Sequence, residues 1–352
     1  MFISGYKPNY PVMKITQEEL KNEILRRGSS ILDAWIGDER VKKKILAILV
    51  AGKNLLLEGP PGSGKTLIAQ TLALSLPPIK VVNCDFNCLP EHLICPQCTS
   101  PKGLHHSDIT KIIKMPGEKR IVRIQGSPEL TAEDLVGDID PVLAFKYGPF
   151  DTRSFKPGKI IRANKKILFI DEINRVPERL QNTLLQMLQE GVMTIGSLEI
   201  DFSIDTVLIA TMNPEEHAGV YRLSEALKDR LEKVRIGYPS PEEELRILEL
   251  YGKQIGAVVS DDLEKKMVDI AKIIREDKNM EQAVSVRATL SMFELVQSFA
   301  LLRGDKLATK EDLREAALIA FRGRVTLSPD SSHYDHPTQY LRELVDNELE
   351  AY

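Results

Sequence analysis

The arrangement of apolar and polar positions changes character near residue 238. Before it, apolar runs such as Ile167–Ile170 and Val207–Ala210 contain no polar residue. Runs of this kind are typical of central strands in a parallel sheet covered on both faces. Between them, Leu180–Glu190 carries apolar residues at helical spacing. Strands and helices therefore alternate, and we predict a layered α/β domain with a parallel sheet.

Shorter patterns predict the other elements. A capping box at Thr16–Glu19 predicts the start of an N-terminal helix, and Gly28 predicts its end. After Pro239 no strand-like run appears, and apolar residues recur at helical spacing. Capping boxes at Ser240–Glu243 and Thr309–Asp312 predict where two of those helices begin. Further strands are predicted at Asn54–Leu57, Lys80–Val82 and Ile121–Ile124, and further helices at Val41–Val50 and Leu67–Leu76.

Composition narrows the class of protein. The chain has 352 residues, 43% of them hydrophobic and 28% charged, which fits a globular protein of about two domains. Its net charge of −4 gives no overall attraction to nucleic acid. No apolar run approaches membrane-spanning length, and Met1–Pro11 lacks the basic and apolar regions of a signal peptide. We therefore expect a cytoplasmic protein without membrane insertion.

Residues 59–66, Gly-Pro-Pro-Gly-Ser-Gly-Lys-Thr, match the phosphate-binding loop pattern G-x-x-x-x-G-K-[ST]. They follow a predicted strand and precede a predicted helix, which is the context that the pattern requires. In such a loop the backbone N–H groups face one point, Lys65 reaches the β- and γ-phosphates, and the Thr66 hydroxyl holds Mg²⁺. The helix N-terminus adds its positive dipole end. The chain is therefore predicted to bind a nucleoside triphosphate with magnesium.

Two acidic residues, Asp171 and Glu172, end the apolar run that begins at Ile167. An aspartate at the tip of a strand near the loop completes the Mg²⁺ shell. A glutamate after it can act as general base on the attacking water, which favours hydrolysis over nucleotide sensing alone. The amide of Asn213 ends the next apolar run and is expected to orient that water or contact the γ-phosphate. Asn213–Pro214 is also a common turn initiator.

In this order the motifs resemble those of the AAA+ ATPases, and most closely the MoxR and magnesium-chelatase I-subunit branches. The resemblance extends from Ile36 to about Arg324. Residues 135–140 and 155–158 resemble the insertion that these branches carry in their second helix. The sequence phrases that carry the resemblance are residues 55–62, 123–130, 170–175 and 210–214.

The resemblance implies roles for single residues. Asn213 matches the first sensor, and Arg287 matches the second sensor, which the lid carries. Arg230 matches the arginine finger, which neutralises charge on the phosphoryl group bound by a neighbouring subunit. Arg222 and Arg235 are nearby alternatives for the finger, and Arg175 also matches a MoxR feature. The nucleotide-contacting residues implied are Ile36, Gly37, Gly59, Pro60, Pro61, Gly62, Ser63, Gly64, Lys65, Thr66, Leu67 and Asp171.

An arginine supplied by a neighbour places each active site between subunits, and such heterologous contacts close into rings. The resemblance therefore implies a homo-oligomer, usually a hexamer, that hydrolyses ATP with Mg²⁺ and remodels a protein client. It also implies a separate partner with a von Willebrand factor A domain, in metal insertion or complex assembly. Three alternatives stay open: a magnesium-chelatase motor subunit, a nucleic-acid-dependent ATPase, and a nucleotide-gated module without turnover. The acidic charge balance disfavours nucleic acid.

All four cysteines of the chain lie close together, as Cys84-x₃-Cys88-x₆-Cys95-x₂-Cys98. Four thiolates suit tetrahedral zinc, and four cysteines also hold iron–sulfur clusters. Free thiols or a redox disulfide are further alternatives. The neighbouring pair 105–106, both histidines, offers replacement ligands. We expect a structural site, with zinc as its first candidate, that fastens an insertion in the chain.

Together these inferences predict a fold class and a domain plan. The fold class is α/β: an AAA+ phosphate-loop core with a parallel sheet, followed by a small all-α lid. The plan is an N-terminal helical segment at 1–35, a nucleotide-binding domain at 36–238 with a cysteine-rich insertion at about 84–120, a lid at 239–325 and a tail at 326–352.

Overall fold

The computed structural model describes residues 14–99, 111–149, 151–195, 200–213, 221–282 and 284–350. The chain forms two compact units. The first contains the residues up to Trp35, together with Glu39–Gly59 and Gly64–Ile236. The second contains Ile36–Asp38, Pro60–Ser63 and the residues from Gly237 onward.

The first unit alternates strands with helices, as the apolar runs predict. Its helices are α1 Ile15–Arg27, α2 Glu39–Val50, α3 Lys65–Ser75, α4 Pro96–Thr99, α5 Ala132–Leu135, α6 Pro141–Tyr147, α7 Lys159–Arg162, α8 Glu178–Glu190 and α9 Glu225–Lys228. Its strands are β1 Asn54–Glu58, β2 Ile79–Val82, β3 Ile112–Met115, β4 Ile121–Gln125, β5 Gly137–Ile139, β6 Phe155–Pro157, β7 Lys166–Asp171, β8 Val192–Ile195, β9 Ile200–Ser203, β10 Thr206–Met212 and β11 Leu231–Arg235.

Five of these strands form one parallel sheet, in the order β11-β1-β10-β7-β4. Alternate side chains of a strand enter different cores. Leu168 and Ile170 belong to one apolar cluster, whereas Ile167 and Phe169 belong to another, and all four are buried. Because both faces of the sheet are covered, its central strands need no polar face. The predicted parallel sheet is confirmed.

The apolar run at Lys80–Val82 lies outside the main sheet. It belongs to β2, which pairs antiparallel with β3. Lys80 is exposed between the buried Ile79 and Val81. This alternation of exposed and buried positions is typical of a strand covered on one face only. The β5–β6 and β8–β9 strand pairs are also antiparallel. Each two-stranded pair is called a hairpin below, although helix α6 lies between β5 and β6 in the chain.

The predicted capping box at Thr16–Glu19 is wrong. Helix α1 begins at Ile15, and its N-cap residue, Lys14, makes no side-chain cap hydrogen bond. The backbone N–H of Thr16 instead donates to the carboxylate of Asp205, 189 positions away, at 3.1 Å. A contact between distant residues therefore replaces the local cap. The predicted end of this helix at Gly28 is confirmed.

The second unit is built on helices around one apolar core. Capping boxes begin two of its helices at Ser240 and Thr309, as predicted. Side chains of the last helix, Leu341, Val345 and Leu349, are buried in the same core as the other helices. Among the described residues, no helix is long and apolar enough to cross a membrane. The elements are α10 Pro241–Tyr251, α11 Asp261–Glu276, β12 Met280–Gln282, α12 Val286–Leu302, α13 Lys310–Phe321, β13 Thr326–Leu327 and α14 Pro337–Glu350.

Candidate functional site

The phosphate-binding loop lies between β1 and α3, as its motif requires. Gly62 and Gly64 have φ angles of 78° and 81°, in the left-handed region that glycine adopts without steric cost. Gly64 also lies against Trp35, because a Cβ at this position would be 2.6 Å from the indole ring. The loop therefore turns directly into the N-terminus of α3, which is a favourable position for a phosphate group.

Lys65 is the first residue of α3, and Thr66 is the second. The Lys65 ammonium group donates to the carbonyl oxygen of Gly59 at 2.6 Å, so the side chain folds over its own loop. Gly59 has no room for a side chain, because a Cβ would lie 2.2 Å from the carbonyl oxygen of Ile236. An ammonium group, a hydroxyl oxygen and helix N–H donors thus share one end of α3. This set of groups fits a triphosphate with its magnesium ion.

Asp171 ends β7, at the edge of the sheet where β1 also ends. Only β10 separates these two parallel strands, so their tips are about 10 Å apart. The Thr211 hydroxyl donates to Asp171 Oδ1 at 2.7 Å, and the Arg123 guanidinium donates to Oδ2 at 2.5 Å. The carboxylate is therefore held in one orientation. Carboxylate oxygens of this kind are preferred Mg²⁺ ligands.

Glu172 has a left-handed backbone, with φ 57° and ψ 55°. This conformation costs a non-glycine residue about 1–2 kcal/mol. Its N–H donates to the Thr211 hydroxyl oxygen at 2.9 Å, and Gln125 donates to its carboxylate at 3.0 Å. Arg175 lies 3.5 Å from the same carboxylate oxygen. The Glu172 carboxylate is thus held at the strand tip by side chains from two neighbouring segments.

Asn213 follows β10 and is buried, with 8% of its surface exposed. Its backbone carbonyl accepts a hydrogen bond from the amide of Asn174 at 3.3 Å. Both residues line a cavity of about 430 Å³ that also contacts the cationic side chains of Arg222, Lys228 and Lys233. The turn expected at Asn213–Pro214 falls partly outside the described residues.

Arg230 and the phosphate-binding loop lie at opposite ends of the parallel strands. It precedes β11, which runs parallel to β1 with Leu231 opposite Asn54. Five residues of strand, about 13 Å from first to last Cα, therefore separate it from the loop. It is exposed and lines a cavity of about 460 Å³ together with Lys53. Arg235 ends the same strand on the loop side.

Glu58 is the last residue of β1, next to the loop. Lys233 and Arg235 form ion pairs with its carboxylate at 2.9 and 3.2 Å. Burial by itself would raise the pKa of Glu58, but the hydrogen bonds from these two cations hold its pKa below the ordinary value. The Arg235 guanidinium therefore already has an anionic partner within its own chain.

Seven of the candidate residues belong to the second unit: Ile36, Gly37, Pro60, Pro61, Gly62, Ser63 and Arg287. Ile36 is buried with 7% of its surface exposed, and Gly37 follows it in the chain. Arg287 is exposed in the first turn of α12, after the N-cap residue Ser285.

The structure brings the four cysteines together. One sulfur atom from each of them lies within 4.8 Å of the other three. Cys88 and Cys95 are buried, and all four are free thiols. Hydrogen bonding with Cys88 lowers the pKa of the Cys84 thiol, whereas hydrogen bonding with Cys84 raises the pKa of the Cys95 thiol. The histidines at 105 and 106 lie outside the described residues.

Three residues that hold the acidic pair, Arg123, Gln125 and Thr211, were not predicted to have a role. Arg123 and Gln125 occupy alternate positions of β4, so they share a face of that strand. Thr211 is a buried polar residue at the end of an apolar strand. Asn174 was not predicted either; its amide binds the Asn213 carbonyl, and its side-chain oxygen has no hydrogen-bond partner among the described residues. For Thr211, the sequence signal was a single polar residue near the end of an apolar strand.

Sequence models of three protein families match separate parts of the chain. Residues 32–85 match "Magnesium chelatase, subunit ChlI". Residues 92–232 match "ATPase family associated with various cellular activities (AAA)". Residues 274–343 match "AAA lid domain".

Curated relatives are similar over most of the chain. Chaperone MoxR1 of Mycobacterium tuberculosis is 28% identical and covers 84% of this chain and 74% of its own length. The uncharacterized protein YeaC of Bacillus subtilis is 26% identical, with 90% of each chain covered. A magnesium-chelatase subunit ChlI homolog of Methanocaldococcus jannaschii is 26% identical, with 84% of this chain and 85% of that protein covered.

A solved structure supports the fold alone. NtrX from Brucella abortus in complex with ADP superposes with a TM-score of 0.51 at 17% sequence identity. The match covers 92% of this chain and 64% of that chain.

Proposed function

Because the chain is an AAA+ ATPase of the MoxR and magnesium-chelatase I-subunit type, we propose that it is a ring-forming motor that remodels or activates a protein partner. The ring is a homo-oligomer, most simply a hexamer, and it works in the cytoplasm. ATP hydrolysis drives the change in the partner. The name of the relative Chaperone MoxR1 supports a chaperone-like action.

The observation that carries the proposal is the shared support of the two acids. One hydroxyl, that of Thr211, binds both the Asp171 carboxylate and the Glu172 amide. In the proposed site, Lys65 and the loop N–H groups bind the phosphates, while Thr66 and Asp171 hold Mg²⁺. Magnesium supplies charge neutralisation on the phosphates. Glu172 accepts the proton of the attacking water.

Arg230 supports a site that is completed by a second subunit. Its own loop is a strand length away, whereas the rival Arg235 is paired with Glu58 on the loop side. We assign Arg230 as the residue that acts on the nucleotide of a neighbour, where a guanidinium neutralises charge on the transferred phosphoryl group. Asn213 aligns the water from within the chain. Arg287 senses the nucleotide state through the second unit.

The partner and the cofactors complete the proposal. We propose a separate protein with a von Willebrand factor A domain as the adaptor for the client. A magnesium-chelatase-like motor subunit is a second candidate function, because residues 32–85 match the chelatase subunit family. Beside ATP and Mg²⁺, the four cysteines hold a metal ion that takes no part in hydrolysis. Stimulation of the ATPase by DNA or RNA, rather than by protein, would contradict this function.

Replacement of the proposed base gives the first test. The Glu172→Gln variant should lose about 10²-fold or more of its ATPase rate, because a positioned general base contributes about 10²–10⁴-fold. Glu178→Gln is the matched control, since Glu178 is an exposed glutamate at the start of α8. ATP binding should persist in both variants. An unchanged turnover rate in Glu172→Gln would refute the assignment of the base.

A mixing experiment tests the shared site. The Lys65→Ala and Arg230→Ala variants should each be inactive, because one lacks the phosphate-binding lysine and the other lacks the finger. When the two are mixed and reassembled, some interfaces join an intact loop to an intact arginine, so activity should return. Arg235→Ala is the control and should not behave like Arg230→Ala. Failure to recover activity at any mixing ratio would contradict an arginine acting between subunits.

A further inference from the structure

We propose that Cys84, Cys88, Cys95 and Cys98 hold one zinc ion, and that this zinc centre fixes Phe86 beneath two β-hairpins of the first unit. The site lies at a cysteine-rich segment that the nucleotide chemistry does not use.

The sulfur positions fit a single tetrahedral metal ion. With zinc–sulfur bonds of about 2.3 Å, the sulfur atoms of a tetrahedral site are about 3.8 Å apart. The four atoms here lie within 4.8 Å of one another, so closure on one ion needs only a small contraction. An iron–sulfur cluster places its own iron and sulfide atoms between the thiolates, which needs a wider arrangement. Four soft thiolates also select against Mg²⁺ and Ca²⁺.

The backbone around the cysteines supports thiolate ligands. The N–H of Cys88 donates to the sulfur of Cys84 at 3.4 Å, and the N–H of Cys98 donates to the sulfur of Cys95 at 3.3 Å. Hydrogen bonds to a ligand atom of this kind orient it for the metal. The two pairs therefore repeat the same local arrangement, although their spacings differ by one residue.

Asn87 provides the turn between the first two cysteines. Its φ of 52° is in the left-handed region, which asparagine adopts more readily than most residues. Its side-chain amide donates to the carbonyl oxygens of Arg162 and Asn164 at 3.1 and 3.3 Å. The turn that brings Cys84 and Cys88 together is thus fastened to the segment that leads into β7.

Phe86 lies inside the same turn and is 1% exposed. Its ring packs against Phe155 of β6 and Phe202 of β9, with ring centroids 6.3 and 5.1 Å apart. Its carbonyl oxygen accepts a hydrogen bond from Asn164 at 2.8 Å. One aromatic side chain between two metal ligands therefore contacts both the β5–β6 and the β8–β9 hairpin. A zinc ion that fixes the turn would also fix Phe86, the side chain on which both hairpins pack.

Metal content and spectroscopy of the full-length protein test the zinc site. Protein produced with zinc available should contain about one zinc per chain, and X-ray absorption should show four sulfur neighbours at about 2.3 Å. Cys95→Ser should lower the zinc content, whereas the neighbouring Thr99→Ser should not. The X-ray absorption spectrum is measured on the wild-type protein. The zinc site can therefore be tested even if the Cys95→Ser variant does not fold.

Several outcomes would overturn the zinc assignment. Iron with acid-labile sulfide would do so, and so would four titratable thiols in a metal-free protein from zinc-replete cells. A loss of titratable thiols through disulfides would have the same consequence. None of these measurements depends on ATPase activity, so failure of this proposal and failure of the motor function are distinguishable.

Hydrogen exchange tests the link to the hairpins. In Cys95→Ser, the amides of β5–β6 and β8–β9 should exchange at least about tenfold faster than in Thr99→Ser, because the support beneath them is released. Phe86→Leu keeps all four thiols and should retain zinc while showing faster exchange in the same hairpins. Unchanged exchange in both hairpins of the zinc-free protein would refute the link.

Discussion

Thr211 gives the sharpest test of how the acidic pair is held. Its side chain is 1% exposed, and its single hydroxyl binds both Asp171 and Glu172. Thr211→Val removes that hydroxyl but keeps the β-branched shape and nearly the same volume. The variant therefore isolates two hydrogen bonds, with little change in packing.

The magnitude follows from those two bonds. A hydrogen bond to a charged group contributes about 1.5–3 kcal/mol, and a buried donor left without a partner costs about 1–3 kcal/mol. The Glu172 N–H is only partly buried, so water compensates part of its loss. We therefore expect Thr211→Val to lower the free energy of unfolding of the first unit by about 3 kcal/mol. The strained backbone of Glu172 should relax, and ATP turnover should fall by about tenfold or more.

Urea unfolding followed by tryptophan fluorescence measures the stability change. The chain has one tryptophan, Trp35, which is 4% exposed and belongs to the first unit together with Thr211. Its fluorescence therefore reports the unfolding of the unit that carries the substitution. Thr211→Ser is the matched control, since it keeps the hydroxyl and loses only a methyl group, at a cost of about 1 kcal/mol.

Two results would contradict this reasoning. If Thr211→Val unfolds within about 0.5 kcal/mol of the wild type, the hydroxyl does not hold the acidic pair. If Thr211→Ser loses as much activity as Thr211→Val, shape rather than hydrogen bonding determines the position of the acids. A drop confined to Thr211→Val supports the account in full.

Three further outcomes are expected. Glu244→Gln should lower the free energy of unfolding of the second unit by about 3 kcal/mol, measured by calorimetry. The reason is that Arg275 and Glu244 form a buried ion pair, with side chains 8% and 1% exposed. An unchanged unfolding transition would contradict this. ADP should change the fluorescence of Trp35, which lies against Gly64, and Gly64→Ala should abolish both the change and the binding. The pKa of Glu58 is lowered in the fold, so its ion pairs stabilise the protein above the unfolded pKa of about 4.3 and lose that effect as pH falls through the folded pKa. The stability difference between wild type and Glu58→Gln, at most about 1 kcal/mol because its cationic partners are exposed, should therefore be largest above about pH 4.3 and shrink as the pH falls below it.

The central sheet could be predicted because its signal is local. Ile167–Ile170 and Val207–Ala210 lie in strands covered on both faces, so burial alone dictates uninterrupted apolar residues. The phosphate-binding loop could be predicted because its glycine positions and its lysine have fixed spacing. Neither signal depends on which residues lie nearby in space.

The support of the acids could not be predicted in the same way. Gln125 contacts Glu172 across 47 positions, and Thr211 contacts Asp171 across 40. The wrong prediction of a capping box at Thr16 also comes from a long-range contact. The carboxylate of Asp205, 189 positions away, accepts the hydrogen bond from the Thr16 N–H. Contacts at such separations depend on strand order and register, which no local pattern specifies.

Strand order also explains why a complete site would need a second chain. The sheet is parallel, so the tips of β1, β7 and β10 place the loop, Asp171 and Asn213 at one edge. Arg230 precedes β11, at the opposite end of the parallel strands. No change of side-chain rotamer can move its guanidinium along the length of a strand, about 13 Å, to the loop. A cation at the loop edge is available within the chain at Arg235, but Glu58 binds it. If the finger acts at all, the parallel order of this sheet requires that it act on the nucleotide of another subunit, so monomers separated by dilution should lose ATPase activity while still binding ATP.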